Sequence, residues 1–314
     1  MTHTVFIDGA VGTTGLEIVE RLSARSEFSL LLLDDAQRKS AEARREAYHS
    51  ADFAVLCLPD EAAKEAVVLA EGSKVRIIDA SSAHRVAPGW AYGFPELFGR
   101  EAVAEAARVS NPGCYPSGFL ALVAPLVHAG LIPPDWPITV NAVSGYSGGG
   151  KALIERFEAN PDIAFRAYGL GLGHKHLAEM QQHAGLARPP VFSPSVVPAH
   201  RGMIVDVPLD LAALPTGASA ERIHNTLAYC FEGEPRGPRG TVRVAPLGDT
   251  PAEMLLLRDA APWDGMTLHV FAAPDGSQVR LIARLDNLGK GASGAAVQNL
   301  NLMAGLPETA GLAL

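Results

Sequence analysis

Short apolar runs alternate with helical patterns over the first quarter of the chain. The runs are TVFI (4–7), SLLLL (29–33), FAVLCL (53–58) and RIID (76–79). Between them lie stretches of helical spacing, the first of which has Leu16, Val19 and Leu22 on one face. This rhythm is typical of βαβ units, so it predicts a parallel sheet covered by helices. The segment 30–33 is apolar throughout, as expected for a strand covered on both faces.

After Pro137 the chain has longer strand patterns rich in β-branched residues. These are PITVNAV (137–143), MIVDVPL (203–209), TVRVAP (241–246), TLHVFAA (267–273) and QVRLIARL (278–285). The last two flank Asp275-Gly276, which predicts a β-hairpin. The Gly- and Pro-rich segment 231–252 is interpreted as loops around one short strand.

The patterns together predict an α/β protein with an N-terminal Rossmann-like parallel-sheet domain and a second α+β domain. We place the dinucleotide-binding domain at 1–113 and the second domain at 114–285. The helical pattern GASGAAVQNLNLMAGL (291–306) follows the hairpin. We therefore expect a C-terminal helix within 286–314 to complete the first domain.

Composition excludes several classes of function. A net charge of −8 argues against a nucleic-acid partner. The apolar stretch Phe119 to Val127 is shorter than the roughly 20 residues of a membrane span, and no secretory signal pattern is visible. Cys57, Cys114 and Cys230 are widely spaced, without a metal-binding pattern. We therefore expect a cytoplasmic protein with reduced cysteines and no membrane partner.

Gly9, Gly12 and Gly15 lie between the first predicted strand and the first predicted helix. Glycines in such a loop allow a tight turn and let backbone N–H groups approach a pyrophosphate at the helix N-terminus. The spacing is GxxGxxG rather than the usual GxGxxG, and such glycines can also serve chain geometry alone. Because βα units follow, we predict dinucleotide binding.

Residues after the second predicted strand bear on the choice of coenzyme. Asp34 and Asp35 are acids of the kind that bind a ribose hydroxyl and disfavour a 2′-phosphate. Arg38 and Lys39 follow, and either could hold that phosphate or simply begin a solvated helix. These residues alone do not distinguish NAD from NADP.

Cys114 lies in the stretch SNPGCYPS, just ahead of an apolar helical pattern. Pro116 suits the first turn of a helix, so the thiol would lie at a helix N-terminus, which favours the thiolate. Gly113 beside it leaves room for a substrate carbonyl. A lone cysteine is, however, more often a small buried apolar residue. This stretch alone therefore leaves both a nucleophile and a buried thiol open.

The stretch GLGHKHLAEM supplies a base for such a thiol. His176 and Glu179 are three residues apart on a predicted helix, so the carboxylate can orient the imidazole. His174 and His176 could instead form part of a metal site, but no third ligand stands at a suitable spacing. We therefore expect no metal.

Three further stretches, ASSAHRV, SGYSGGGK and PAHRGM, offer groups that suit an anionic substrate. Their side chains are Ser81, Ser82, Arg85, Ser144, Ser147, Lys151, His200 and Arg201. The glycine run suits a phosphate nest but is not a P-loop, because Ala152 follows the lysine. Each arginine taken alone is more often a surface or ion-pair residue.

Several motifs in order span almost the whole chain. They are DGAVGTTG, YGFPEL, NPGCYPS, SGYSGGGK, GHKHLAEM, PAHRGM and DNLGKGASGAAVQNLNLM. Together they resemble the N-acetyl-γ-glutamyl-phosphate reductases, specifically the shorter form. The resemblance implies an NADPH-dependent enzyme of arginine biosynthesis with the two-domain fold of the semialdehyde dehydrogenases. It also implies that the second domain is catalytic and mediates dimerisation, giving a homodimer or homotetramer.

The same resemblance implies roles for individual residues. Cys114 would attack the acyl phosphate and form a thioester, with His174 or His176 as acid and base and Glu179 nearby. The implied NADP contacts are Gly9, Gly12, Thr13, Thr14, Gly15, Arg38, Lys39, Pro59, Ser81 and Asn287. The implied substrate contacts are Ser82, Arg85, Asn111, Ser144, Ser147, Lys151 and Arg201.

Two alternatives stand beside this hypothesis. Aspartate-semialdehyde dehydrogenase would use the same chemistry on aspartyl phosphate, although NPGC and HxH favour the glutamyl enzyme. A non-enzymatic NADP-sensing Rossmann protein would need the glycine loop but no reactive cysteine. Asp34 and Asp35 depart from what an NADP enzyme needs, so the NADP preference depends on the resemblance.

Overall fold

The structure is a computed structural model that describes residues 2–233, 240–249 and 251–314. The α-helices are α1 Thr13–Ser23, α2 Ala41–Ser50, α3 Asp60–Leu69, α4 Pro95–Phe98, α5 Arg100–Glu105, α6 Cys114–His128, α7 Gly150–Ala159, α8 Leu177–Ala184, α9 Ala220–Glu232 and α10 Gly294–Met303. The strands are β1 His3–Asp8, β2 Phe28–Leu31, β3 Phe53–Leu56, β4 Arg76–Asp79, β5 Ala91–Tyr92, β6 Arg108–Ser110, β7 Thr139–Gly145, β8 Arg166–Ala167, β9 Val191–Val197, β10 Met203–Asp210, β11 Val242–Val244, β12 Met266–Ala272 and β13 Gln278–Leu285.

The chain divides into two compact units. Unit 1 comprises Met1–Gly113 and Ala292–Ala313, and unit 2 comprises Cys114–Gly291 with Leu314.

Unit 1 is built on a parallel sheet with the strand order β2-β1-β3-β4-β6-β5. Helices α1, α2 and α3 connect the first four strands, as the alternating pattern predicts. One core layer joins Val5 and Ile78 of the sheet to Ile18 of α1 and Leu300 of α10. The prediction of a Rossmann-like parallel sheet is therefore confirmed.

Arginines fasten α10 and the segment after it to the rest of unit 1. Arg25 donates to the Asn301 side-chain oxygen at 2.7 Å and to the Ala310 carbonyl at 3.0 Å. Arg76 donates to the Met303 carbonyl at 2.6 Å. The last helix is thus held to unit 1 by hydrogen bonds as well as by packing. Every strand of this unit precedes α10 by more than 180 residues.

Segment 30–33 is covered on both faces in part: Leu30 packs against one core cluster of unit 1, and Leu31 and Leu33 pack against the other. Strand β2 lies at the edge of the sheet and ends at Leu31, and Leu32 is 45% exposed. The side of an edge strand that has no neighbouring strand borders solvent, so β2 is less completely buried than the inner strand β3. Phe28, at the start of β2, is the one fully buried residue of this strand.

Unit 2 contains a mixed sheet with the order β11-β12-β13-β10-β7-β9-β8. Strands β12 and β13 form the predicted antiparallel hairpin, and Gly276 in its turn has φ +71°. Helix α6 packs closely on this sheet, since a Cβ on Gly118 would lie 2.7 Å from a methyl group of Val205. Among the described residues, no helix combines the length and apolar character needed to cross a membrane.

Strand β9 was not predicted from the sequence. It contains Pro194, and a proline within an apolar run normally argues against a strand because it removes a donor. In the structure β9 nevertheless lies parallel to β7, with Pro194 opposite Ala142. Within 231–252, β11 is the short strand seen in the described part, and residues 234–239 and 250 lie outside the described residues.

Replacing Leu300 by alanine should lower the free energy of unfolding by about 2–5 kcal/mol, because its loss leaves a cavity. The side chain is 1% exposed in the unit 1 core. Leu16 lies outside the buried face of α1, contrary to the sequence pattern, and is 53% exposed. Leu16→Ala is therefore the control and should change stability by less than about 0.5 kcal/mol. Urea unfolding followed by circular dichroism measures both, and equal losses would contradict the placement of α10 in the core.

Candidate active site

The glycine loop after β1 is shaped by close backbone contacts. Gly9 has φ +89°, and a Cβ there would lie 2.3 Å from the Cys57 carbonyl oxygen. A Cβ on Gly15 would lie 2.4 Å from the Gly9 carbonyl oxygen. Gly12 precedes α1 and its N–H bonds to that same oxygen at 3.0 Å. Side chains are therefore excluded from the loop at Gly9 and Gly15.

The start of α1 fits a dinucleotide. Thr13 and Thr14 open this helix, and the Thr13 hydroxyl oxygen is buried with no hydrogen-bond partner among the described residues. No side chain in the described part of the chain caps the helix, and its first turn has no acidic residue. The first N–H groups of a helix need acceptors and favour an anion. These features fit a pyrophosphate bound at this N-terminus.

Asp34 serves the turn that follows β2. Its Oδ1 accepts the N–H groups of Ala36 at 2.9 Å and Gln37 at 2.8 Å. Arg38 pairs with the exposed Asp35 at 3.1 Å, and Lys39 follows it with an exposed side chain. Asp34 thus accepts hydrogen bonds within its own turn, and the cations Arg38 and Lys39 follow that turn in the chain.

Two serines predicted to contact coenzyme or substrate bond within unit 1. Ser81 donates its N–H and its hydroxyl to Asp79, each at 2.8 Å. Ser82 donates its N–H and its hydroxyl to Asp60, at 2.9 Å and 2.7 Å, beside Pro59 at the start of α3. Their roles towards coenzyme or substrate stay predictions.

A histidine that the sequence analysis missed lies in the same loop. His84 Nδ1 is 2.6 Å from a carboxylate oxygen of the buried Asp79. Its ring stacks on Trp90 with centroids 4.2 Å apart. The signal was present in the motif ASSAHRV, which contains this histidine between the two predicted serines and Arg85. That arginine donates to the Asn111 and Ala80 carbonyls at 3.0 Å and 3.2 Å.

Cys114 is the first residue of α6, one position further into the helix than predicted. The helix N-terminus favours thiolate, and the N–H groups that follow Cys114 can bond an oxyanion. Gly291 lies against this residue, because a Cβ on Gly291 would be 2.9 Å from the Cys114 Cβ. Gly291, which has no side chain, is therefore one of the residues that adjoin Cys114.

Two tyrosines beside Cys114 were also missed, although Tyr115 follows the cysteine directly. The Tyr115 hydroxyl donates to the Ser195 carbonyl at 3.1 Å and accepts from the Tyr168 hydroxyl at 3.2 Å. Burial raises the pKa of Tyr115 far above its ordinary value and that of Tyr168 to about 12. Both hydroxyls therefore keep their protons at neutral pH.

The two candidate histidines lie together next to Tyr115. Their ring centroids are 4.7 Å apart, and each lies about 6 Å from the Tyr115 ring, at 6.1 Å for His174 and 5.9 Å for His176. His174 Nδ1 accepts the N–H of His176 at 3.2 Å. Burial, and secondly the charge of Lys175, lowers the pKa of His174 to about 4. His174 is therefore neutral at pH 7, with its proton on Nε2.

His176 immediately precedes α8, and Glu179 lies in the first turn of that helix. Both side chains are buried. In the described part of the chain, no group of three or more His, Cys, Asp or Glu side chains is arranged to hold a metal ion. The histidines lie among aromatic side chains that include Phe192. Its ring lies 5.1 Å from the ring of His174.

Asn287 links two loops of unit 2. Its Oδ1 accepts the Gly202 N–H at 2.9 Å, and its Nδ2 donates to the Ser147 hydroxyl at 2.9 Å. Both ends of the amide are therefore used inside unit 2. The predicted contact of Asn287 with the coenzyme stays a prediction.

The predicted anion-binding groups of unit 2 differ in their surroundings. Arg201 pairs with the buried Asp286 at 3.0 Å. The Ser144 hydroxyl donates to the Gly145 carbonyl at 3.0 Å. Lys151 is exposed at the second position of α7. Of these, Lys151 presents its charge to solvent.

Iodoacetamide at pH 7 should alkylate Cys114 first. Burial, with the nearby carboxylates of Asp79 and Asp8, raises the pKa of Cys57 to about 12, so Cys57 holds very little thiolate. We expect Cys114 to react at least ~10-fold faster than Cys57, because thiolate is the reactive form. Peptide mapping by mass spectrometry measures each site, with Cys230 as a second reference. Equal rates at the three sites would contradict the assignment of Cys114 as a nucleophile.

His174 should titrate near pH 4 instead of near 6.5. The unfolded chain then binds this proton first, so the fold loses stability as the pH falls from about 6.5 to about 4. His174→Gln should reduce that loss, whereas a matched change at an exposed histidine, His49→Gln, should not. Urea unfolding across this pH window measures the difference, and identical pH dependence in both variants would refute it.

Two family models match the chain in succession. Residues 4–106 match the semialdehyde dehydrogenase NAD binding domain. Residues 114–287 match the semialdehyde dehydrogenase dimerisation domain. Among solved structures, aspartate semialdehyde dehydrogenase II of Vibrio cholerae has a TM-score of 0.72 at 21% identity, covering 96% of this chain and 98% of that one. That likeness shows the shared fold.

Curated relatives match over nearly their full lengths. N-acetyl-gamma-glutamyl-phosphate reductase 2 of Nostoc sp. is 49% identical, with 98% of each chain covered. The protein of the same name in Pseudomonas putida is 50% identical, with 99% of each chain covered. N-acetyl-gamma-glutamyl-phosphate reductase of Brucella ovis is 49% identical over 97% of this chain and all of the relative. The chain therefore belongs to the N-acetyl-γ-glutamyl-phosphate reductase family of the semialdehyde dehydrogenases.

Proposed function

We propose that this protein is an NADPH-dependent reductase that converts N-acetyl-γ-glutamyl phosphate to N-acetylglutamate semialdehyde in arginine biosynthesis. The observation that carries the proposal is Cys114 at the first residue of α6, next to the cluster of Tyr115, His174 and His176. The names of the full-length relatives support the choice of substrate. We propose the cytoplasm as its compartment, which suits three cysteines that form no disulfide.

In this reaction the Cys114 thiolate attacks the acyl carbon. The bond from that carbon to the phosphate oxygen breaks, phosphate leaves and a thioester remains. The N–H groups at the start of α6 stabilise the oxyanion that forms in each addition step. The nicotinamide coenzyme, when bound, supplies the hydride that reduces the thioester. Collapse of the thiohemiacetal oxyanion then breaks the carbon–sulfur bond, releasing the semialdehyde and the Cys114 thiolate.

The overall reaction consumes one proton, so the site needs an acid. His174 is neutral, and its Nδ1 lone pair accepts the His176 N–H, so it can donate a hydrogen bond through Nε2 but cannot readily accept a proton. We therefore assign proton transfer to His176 and hydrogen-bond donation to His174. Glu179, three residues on at the start of α8, is the proposed partner that orients His176.

For the coenzyme we propose a pyrophosphate held at the glycine loop and the start of α1. Thr13 and Thr14 lie there, and the Thr13 hydroxyl has no other partner among the described residues. Arg38 and Lys39 would hold the 2′-phosphate of NADP. The N–H bonds that occupy Asp34 support NADP, because its carboxylate already serves the turn.

Lys151 is the proposed cation for the substrate's phosphate. It is exposed in the first turn of α7, where the helix N-terminus adds positive charge.

For the assembly we propose a homodimer, or a tetramer built from it, through the sheet face opposite α6. Pro208, Asp210 and Arg280 are exposed on that face, in a segment that matches a dimerisation domain.

The purified protein should oxidise N-acetylglutamate semialdehyde in a reaction that depends on phosphate and on NADP. Absorbance at the nicotinamide band measures the rate, and NAD replaces NADP in a parallel assay to test the coenzyme. Cys114→Ser should abolish activity because it removes the nucleophile. Cys230→Ser, in α9, is the matched control and should retain it.

The alternatives give different results in the same assay. Activity on aspartate semialdehyde alone would identify the protein as an aspartate-semialdehyde dehydrogenase. No activity on either substrate, together with NADP binding, would favour the non-enzymatic sensor.

A further inference from the structure

We propose that Asn299 of α10 is a positioning residue for Cys114, acting through Asn111 at the end of unit 1's last strand. The inference rests on the proposed function, because it concerns the residue that determines where the nucleophile lies. In this proposal Asn111 helps to position Cys114, whereas the resemblance implied that Asn111 contacts the substrate.

Each polar group of Asn111 makes a hydrogen bond. Its N–H donates to the Asp79 carbonyl at 2.7 Å, and its carbonyl accepts from Arg85 Nε at 3.0 Å. Its side-chain Nδ2 donates to the Ala292 carbonyl at 2.9 Å, and its Oδ1 accepts from Asn299 Nδ2 at 3.0 Å. The residue is 1% exposed. Such a buried and fully bonded side chain is suited to fixing the chain rather than to binding a ligand that comes and goes.

Asn299 supplies the side-chain donor for this arrangement. It is 0% exposed, and its Nδ2 also donates to the Gly93 carbonyl at 3.0 Å. A Cβ on Gly93 would lie 2.3 Å from that same nitrogen. Gly93 therefore provides the space that lets the Asn299 amide reach Asn111.

The connection from Asn111 to the thiol is short. Strand β6 ends at Ser110 and α6 begins at Cys114, so that only Pro112 and Gly113 separate Asn111 from the nucleophile. Proline fixes its own φ, which leaves few rotations to absorb a shift. A displacement of Asn111 is therefore passed along the chain to the first turn of α6.

The test compares two neighbouring substitutions on one helix. Asn299→Leu removes the amide that bonds Asn111, and Gln298→Leu removes an equally buried amide that bonds Glu96 and Glu308 instead. The readouts are the rate of Cys114 alkylation by iodoacetamide as a function of pH, kcat and KM of the reductase, and the urea midpoint. We expect Asn299→Leu to slow alkylation and lower kcat by roughly 10- to 100-fold at similar KM, since a shift of about 1 Å can cost that order.

Gln298→Leu should leave the pH profile of alkylation and kcat within about twofold of the unchanged protein, whatever its effect on the urea midpoint. Gly93→Ala places a methyl group against the Asn299 amide and should cause the same loss as Asn299→Leu. This second variant keeps the proposal testable if Asn299→Leu fails to fold. The proposal is overturned if Asn299→Leu and Gly93→Ala alkylate normally, or if Gln298→Leu loses reactivity equally.

The alkylation readout does not depend on the substrate. If Asn299→Leu alters Cys114 reactivity while the unchanged protein reduces no acyl phosphate, the proposed function fails and the positioning role stands. If the protein is an active reductase and Asn299→Leu behaves like Gln298→Leu, the positioning role fails alone.

Discussion

Helix α6 is buried along almost its whole length, and its first residue is the thiol. Residues 115–127 are buried without interruption, and Gly118 lets the helix approach the sheet of unit 2. Such a helix cannot rotate or slide without disturbing close packing on all sides. The apolar core therefore fixes the body of α6, and Cys114 lies at the end of the helix that the chain reaches directly from Asn111.

Beside this thiol, unit 2 places two tyrosines and one histidine that are uncharged. Tyr115 and Tyr168 keep their protons because burial raises the pKa of each hydroxyl, and His174 stays uncharged because burial lowers its pKa. A helix N-terminus acts more strongly on a nearby charge where the effective dielectric constant is low. The apolar and aromatic surrounding by itself disfavours a charge, so the N-terminus of α6 is the feature that favours one negative charge, on sulfur or on oxygen.

Patterns of short range could be predicted from the sequence. The βα alternation, the hairpin at Gly276 and the place of Cys114 near a helix start each follow from residues close together in the chain. Strand β9 could not be predicted, because Pro194 breaks the local pattern and the pairing with β7 joins residues about 50 positions apart in the chain. The edge position of β2 depends on sheet order, which no local pattern records.

The roles within the site depend on bonds between distant residues or on main-chain geometry. Asn299 lies 188 residues from Asn111, so no motif around NPGC reveals that its amide is already occupied. The His174 tautomer is determined by a backbone N–H, which a sequence does not show. Motifs therefore identified candidate groups, but not which of them support the others.

The membership of α10 in unit 1 also affects how the protein is made. Val297 and Leu300 belong to the same core layer as Val5 and Ile18, yet all of Cys114–Gly291 lies between them in the chain. A ribosome therefore synthesises the whole of unit 2 before unit 1 can close its core. During that interval the sheet face that α10 covers is protected by α1 and α5 without α10, and apolar surface left exposed in this way makes a nascent chain prone to aggregate.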